Sequence, residues 1–139
     1  QNKIKNTLIT DNASGLVYSK KKIDFTIVGA DRVGMFGHVF NKIGTFNKAV
    51  LSKTFKVPFL VAFPTSTIDR NLRENTDTVK IEERNPKEIL SKMFWDNLHN
   101  KKYPNIFNPG FDITTPNFVD YYVTEKGNFK KIEKLKNDF

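Results

Sequence analysis

Three groups of polar residues have the types and spacing to do chemistry. Asp31 closes the apolar run "FTIVGA", Asn41 and Lys42 follow ten residues later, and "TSTID", from Thr65 to Asp69, comes after a second apolar run, "FLVAF". A carboxyl group among apolar neighbours can hold a proton near neutral pH, because such surroundings disfavour its charged form. Asp31 stands between "TIVGA" and "VGMF" and suits an acid or base; the same position equally suits a residue that closes a turn. Lys42 is one of 23 basic residues, most of them solvated. Its place beside Asn41 and ahead of "IGT", where a helix is expected to begin, makes it a candidate phosphate binder, with helix amides as further donors.

Other polar residues read as structural. Gly29, Gly34, Gly37 and Gly44 do not give the G-x-G-x-x-G spacing, and no GK[ST] follows a glycine-rich loop, so a nicotinamide or ATP site is disfavoured and no cofactor is expected. His38 and His99 lie in separate segments without a second histidine at ligand spacing, so no metal site is expected. Glu82, Glu83 and Arg84 suit a charge network at a strand end, and Asp112 in "NPGFDIT" suits a turn organiser.

The elements that would position these residues alternate along the chain. "NTLIT" reads as a short strand, "DNASG" as a turn and helix cap, "LVYSKKK" as a short helix ending in cations, and "FTIVGA" as a strand covered on both faces. Ile43, Phe46, Val50 and Leu51 recur at helical spacing between Asn41 and Phe55, and Val57-Pro58 ends that helix ahead of "FLVAF". Strand, helix, strand, helix, strand, joined by short connections, predicts an α/β fold of three layers, with a mainly parallel sheet and helices on both faces. In such a sheet ligands bind at the carboxyl edge, where Asp31, the Asn41-Lys42 pair and the Thr65 to Asp69 stretch would converge. Beyond, "VKIEE" is a strand candidate, "RNPKEILSKMF" a helix with Asn85 as cap, Pro86 first and Glu88 completing a capping box, "TTPNFVDY" a short helix, and "YYVTEKG" a last strand and turn. Residues 128–139 are expected to fray as a basic tail.

A chain of 139 residues fits one domain, although it begins with Gln rather than Met, which favours a piece of a longer or processed protein. Thirteen Phe and 38% hydrophobic content provide for a packed interior. The formal charge of +8 is scattered among Asn-rich segments without an aromatic and basic stripe, which argues against nucleic acid as a partner. With no Cys, these residues hold no disulfide, thiolate site or cysteine nucleophile. Apolar runs fall far short of the roughly 20 residues of a membrane span, so a soluble, cytoplasmic protein is expected.

Taken together, "ITDNASG", "IVGADRV", "NKIGT", "VPFLVAFPTSTID", "IEERNP", "FNPGFDITTP" and "VTEKG" occur in the order seen in the methylthioribose-1-phosphate isomerase family, which the chain resembles over residues 7–128. "NKIGT" is shared with the regulatory subunits of the translation-initiation exchange factor and with ribose-1,5-bisphosphate isomerase, whereas "TSTID" and "IEER" point to the methylthioribose branch. The resemblance implies a Rossmann-like domain and a cofactor-free aldose–ketose isomerase of methionine salvage, acting as a homodimer on 5-methylthioribose 1-phosphate. It implies Asp31 as proton donor and Asn41 with Lys42 as substrate-binding residues. The family's catalytic Cys, its substrate-binding Arg residues and a Gln lie in an amino-terminal half outside this sequence, so the 139 residues alone are expected to be inactive. Where the family has Asn-Gly-Asp, this chain has Phe36-Gly37-His38. That departure leaves a non-catalytic regulatory or interaction protein of the same fold as the alternative.

Overall fold

In the computed structural model, residues 4–72, 76, 79–89, 105–130 and 132 are described. Their order is α1 (Ser14–Lys20), β1 (Thr26–Val28), β2 (Arg32–Gly34), β3 (Val39–Lys42), α2 (Thr45–Phe55), β4 (Phe59–Ala62), β5 (Ile68–Asp69), β6 (Phe111–Thr114), β7 (Tyr121–Thr124) and β8 (Gly127–Phe129). Single 3₁₀ turns occupy Asp11–Ala13, Thr65–Thr67, Pro86–Glu88 and Pro116–Phe118.

The two apolar runs become neighbouring strands of a parallel sheet. β1 pairs with β4 and β4 with β7, all parallel, and β8 adds an antiparallel edge, in the order β1-β4-β7-β8. Parallel neighbours need a crossover, and α2 supplies the one between β1 and β4. Register Thr26↔Phe59, Val28↔Val61 and Val61↔Tyr122 puts these side chains on one face. Phe59, Val61 and Tyr122 are buried there with Ala49 of α2, Phe63 and Val119. Helix α1 packs on α2, and α2 lies against β1, β4 and β6. Three hydroxyls knit this layer: Ser52 Oγ donates to Thr26 Oγ1 at 2.9 Å, and the Tyr18 hydroxyl bonds to both. Ile27, alternating to the opposite face, is 54% exposed, as is Phe25.

A second, mixed sheet in the order β5-β2-β3-β6 was not foreseen from the sequence. The chain leaves β1 through residues 29–31 and folds back as the antiparallel hairpin β2–β3, joined by residues 35–38. Gly37 takes φ 87° in that loop, a conformation open to glycine without strain. β6 joins β3 antiparallel and β5 joins β2 parallel. Val33 and Val39 face each other in the hairpin, each 0% exposed, and carry it into the core. The Tyr122 hydroxyl donates to the Gly37 carbonyl at 2.7 Å, joining the hairpin tip to the parallel sheet.

Several expectations give way to these contacts. Asn41 and Lys42 end strand β3 rather than open a helix, because β3 is paired on both sides and Gly44, at φ 100°, breaks the chain direction before α2 starts at Thr45. "NTLIT" forms no strand: residues 4–10 are exposed, Leu8 at 98%, with no ladder partner. "VKIEE" makes only a bridge from Glu83 to Pro109, and "TTPNFVDY" gives one 3₁₀ turn. Asn85 does cap, accepting from the Lys87 N–H at 2.9 Å, over a 3₁₀ turn. Glu88 pairs with Arg84 at 2.7 Å instead of completing a capping box, and the rest of that predicted helix lies outside the described residues. The expected fraying tail begins as β8, and Ile132 is 3% exposed within the core; residues 131 and 133–139 lie outside the described set.

Candidate active site

All three sequence-selected groups lie in or beside the second sheet. Asp31 directly precedes β2, Asn41 and Lys42 close β3, and Asp69 in β5 pairs with Gly34 in β2. The hairpin therefore carries Asp31 and the Asn41-Lys42 pair together at its base, where the Asp31 N–H donates to the Phe40 carbonyl at 3.0 Å. This sheet is built on the chain that leaves the carboxyl ends of β1 and β4, the edge at which open parallel sheets bind ligands.

The side chains differ in their surroundings. Asp31 and Lys42 are exposed and Asn41 is half-buried. Exposure means that the apolar enclosure anticipated around Asp31 is not formed by its own flanking residues. Asn41 Nδ2 donates to Thr45 Oγ1 at 2.9 Å, and that hydroxyl donates to the Lys42 carbonyl at 2.8 Å, which folds residues 41–45 into a tight turn.

Arg32, next to Asp31 in the chain, pairs with Asp69 of β5. Arg32 donates through Nε at 3.0 Å and Nη2 at 2.8 Å to one carboxyl oxygen of Asp69. The Asn71 N–H, and after it Arg32, hold the Asp69 carboxyl below the usual carboxylate range. Thr65, at the end of the β4 segment, is bound by Glu125 from the end of β7. The Glu125 carboxylate accepts from the Thr65 hydroxyl and, at 3.0 Å, from its N–H, and these contacts hold its pKa down.

Two of these partners escaped sequence reasoning in their roles. Glu125 stood only as part of a Glu-Lys-Gly turn, and its link to Thr65 spans 60 residues. Asp112 was placed as a turn organiser and does organise one, in a distant segment. Oδ2 accepts from the Gly44 N–H at 2.7 Å, and both oxygens lie 3.1 Å from the Phe46 nitrogen at the start of α2. Burial pushes the Asp112 carboxyl up, against the lowering effect of the Phe46 and Gly44 amides. The amides expected to meet a phosphate at this helix start are thus directed at a carboxyl group. His38 is half-buried beside the hairpin tip, and His99 lies outside the described residues.

Comparison with known proteins places this geometry in a family. The model of the Initiation factor 2 subunit family matches residues 1–131. A methylthioribose-1-phosphate isomerase of Carboxydothermus hydrogenoformans is 45% identical over 121 residues, 87% of this chain and 34% of the relative. The crystal structure of 5-methylthioribose 1-phosphate isomerase from Pyrococcus horikoshii OT3 superposes with a TM-score of 0.78 at 34% identity, covering 94% of this chain and 35% of that one. Translation initiation factor eIF-2B, subunit delta, from A. fulgidus gives the same TM-score of 0.78 at 35% identity, covering 94% of this chain and 38% of that one. The chain spans about a third of the length of the curated relatives it matches.

Proposed function

This chain belongs to the Initiation factor 2 subunit family, and we propose that it forms part of a cytoplasmic aldose–ketose isomerase converting 5-methylthioribose 1-phosphate to 5-methylthioribulose 1-phosphate in methionine salvage. The observation that carries this reading is the hairpin base, which gathers Asp31, Asn41 and Lys42 at the carboxyl edge of the parallel sheet in a chain 45% identical to an isomerase.

Chemistry assigns each residue a task. A phosphate on the anomeric oxygen blocks simple ring opening, so the ring oxygen must leave the first carbon as an alcohol and needs a proton as that bond breaks. Asp31 donates this proton. A hydrogen then moves with its electron pair from the second carbon to the first, the hydroxyl on the second carbon gives its proton to the Asp31 carboxylate and becomes the ketone, and water must be kept from the intermediate. Since Asp31 is exposed here, the cover that excludes water comes from the remaining length of the protein or from the substrate. Lys42 binds the phosphate by charge and Asn41 orients the sugar by hydrogen bonding. A homodimer completes the proposal; the exposed apolar side chains of Phe46 and Val50 on α2, with Ile43 just ahead of it, support it.

The test is conversion of 5-methylthioribose 1-phosphate by the full-length protein, followed by carbon NMR as the anomeric signal gives way to a ketone. No conversion overturns the reading. Lys42→Met in the same protein should raise KM roughly tenfold, the effect of losing one hydrogen bond to a charged group. One observation favours a second reading, a regulatory protein of this fold: Phe36 and His38 occupy the hairpin tip where the isomerase pattern has Asn and Asp. Turnover by the full-length protein would exclude it.

A further inference from the structure

Helix α2 has no cap of its own. Its N-cap residue is Gly44, which has no side chain, and the first N–H groups of a helix find no partner inside it. Asp112, 68 residues away in sequence, takes that place through its bonds to the Gly44 and Phe46 amides. The same residue stands directly opposite Asn41 in the β3–β6 ladder, and the next backbone step is tied as well, by the Ile43 N–H donating to the Gly110 carbonyl at 3.1 Å. Between these ties, the Asn41 side chain, Thr45 hydroxyl and Lys42 carbonyl close on one another. The backbone of residues 41–46 is thus tied to Gly110 and Asp112, just before and within β6, and to the turn itself, while the Phe46 ring packs edge-on against Phe118.

We propose that Asp112 is a positioning residue for substrate binding: from β6 it holds the turn at residues 41–46 so that Asn41 and Lys42 are presented to the sugar phosphate, without itself touching substrate. The proposal rests on the isomerase reading of the site. Two consequences follow from the geometry. The first-turn amides are already met by a carboxyl group, so the phosphate is met by side chains, Lys42 foremost. And because Gly44 sits at φ 100°, loss of its acceptor frees the turn to relax toward the conformations that glycine readily reaches.

Three variants of the full-length protein test this: Asp112→Ala removes the acceptor, Asp112→Glu displaces it by one methylene, and Asp112→Asn keeps an oxygen in place without charge. Asn is the conservative substitute because its side-chain oxygen can accept from the Gly44 N–H as the Asp112 carboxyl does. Steady-state kinetics on 5-methylthioribose 1-phosphate and calorimetric titration with inorganic phosphate are read together. The expected result is a KM raised about tenfold in Asp112→Ala with kcat changed less than threefold, a matching loss of phosphate affinity, and recovery of most of that loss in Asp112→Asn. A role confined to stability would lower the folded fraction and the apparent kcat while leaving KM in place. Wild-type KM and phosphate affinity in Asp112→Ala overturn the proposal, as does an Asp112→Asn variant as impaired as Ala. Should Asp112→Ala not fold, Asp112→Glu takes its place, with a KM rise of threefold or more expected and an unchanged KM overturning the idea. If the wild-type protein does not isomerise the sugar, the isomerase reading falls, and the phosphate titrations still decide the role of Asp112.

Discussion

The two sheets of this molecule are held by different physics. In the parallel sheet, Phe59, Val61 and Tyr122 are buried on one face with Ala49 of α2, so stability comes from apolar packing. The second sheet has strands of two to four residues and carries Asp31, Asn41 and Lys42 at its hairpin base. Beside the packing of Val33, Val39, Phe40 and Ile68, it is tied down by point contacts: Tyr122 to Gly37, Arg32 to Asp69, and Asp112 to the start of α2. Packing tolerates rearrangement at neighbouring positions, whereas a hydrogen bond depends on one atom's place. The contrast separates a sheet that stabilises from a sheet that positions.

The sharpest way to break that contrast is Asp31→Asn in the full-length protein. On the proposed role of Asp31 as proton donor, its loss should lower kcat by a factor of about 10² to 10⁴ with KM and melting temperature nearly unchanged. Near-normal turnover would remove chemistry from the second sheet altogether. Next in size is Phe59→Ala in the parallel sheet, where truncation of a fully buried ring should cost about 3–5 kcal/mol in urea unfolding. Turnover per folded molecule should be retained; a comparable loss of turnover would mean that the two sheets are not separable.

The joint between the sheets can be probed at the hairpin tip. A Cβ at Gly37 would lie 2.5 Å from the Tyr122 hydroxyl, at a backbone φ of 87°. Gly37→Ala should therefore destabilise by about 2 kcal/mol or more. Adding Tyr122→Phe removes the opposing oxygen, and the double variant should recover part of that loss in denaturant unfolding; strictly additive losses would place the strain elsewhere. The smallest effect is expected at Arg32–Asp69, an exposed pair with the Arg32 side chain 51% exposed, where Arg32→Ala should cost less than about 1 kcal/mol. The Asn71 N–H and Arg32 hold the Asp69 carboxyl below the usual carboxylate range, so its contribution is present above the ordinary carboxylate pKa and is lost as pH falls through the lower folded value. Asp69→Asn should flatten this acid limb of the stability curve, and an unchanged limb would show that the pair holds no charge-dependent stability.

What could be read in the sequence divides along the same line. "FTIVGA" and "FLVAF" were legible as strands from their continuous apolar runs, and Pro58 marked the end of α2; the expected cover on both faces is not met in β1, where Ile27 is 54% exposed. The α/β class followed from their alternation. β2 and β3 were not legible: Arg32–Gly34 and Val39–Lys42 are too short for a period, and they become strands only through partners at Ile68 and residues 111–114. "NTLIT" failed the other way, with strand-forming residues and no neighbouring ladder. Asp31, Asn41 and Lys42 could be picked out by type and order. Asp112 and Glu125 could not be assigned their partners, because those contacts join residues at least 60 positions apart.

The hydroxyl cluster of Tyr18, Thr26 and Ser52 has a bearing on folding fidelity. β1 is three residues long, and "FTIV" offers an apolar side chain to either face, so hydrophobicity alone barely distinguishes the native pairing with β4 from one slipped by a single residue. A slip would turn Thr26 outward and Ile27 toward the helices, leaving the hydroxyls of Tyr18 and fully buried Ser52 with each other but without their shared partner. The cluster acts as an error check on alignment, and because residues 29–31 follow β1 directly, a misaligned strand would deliver Asp31 to the wrong height above the sheet.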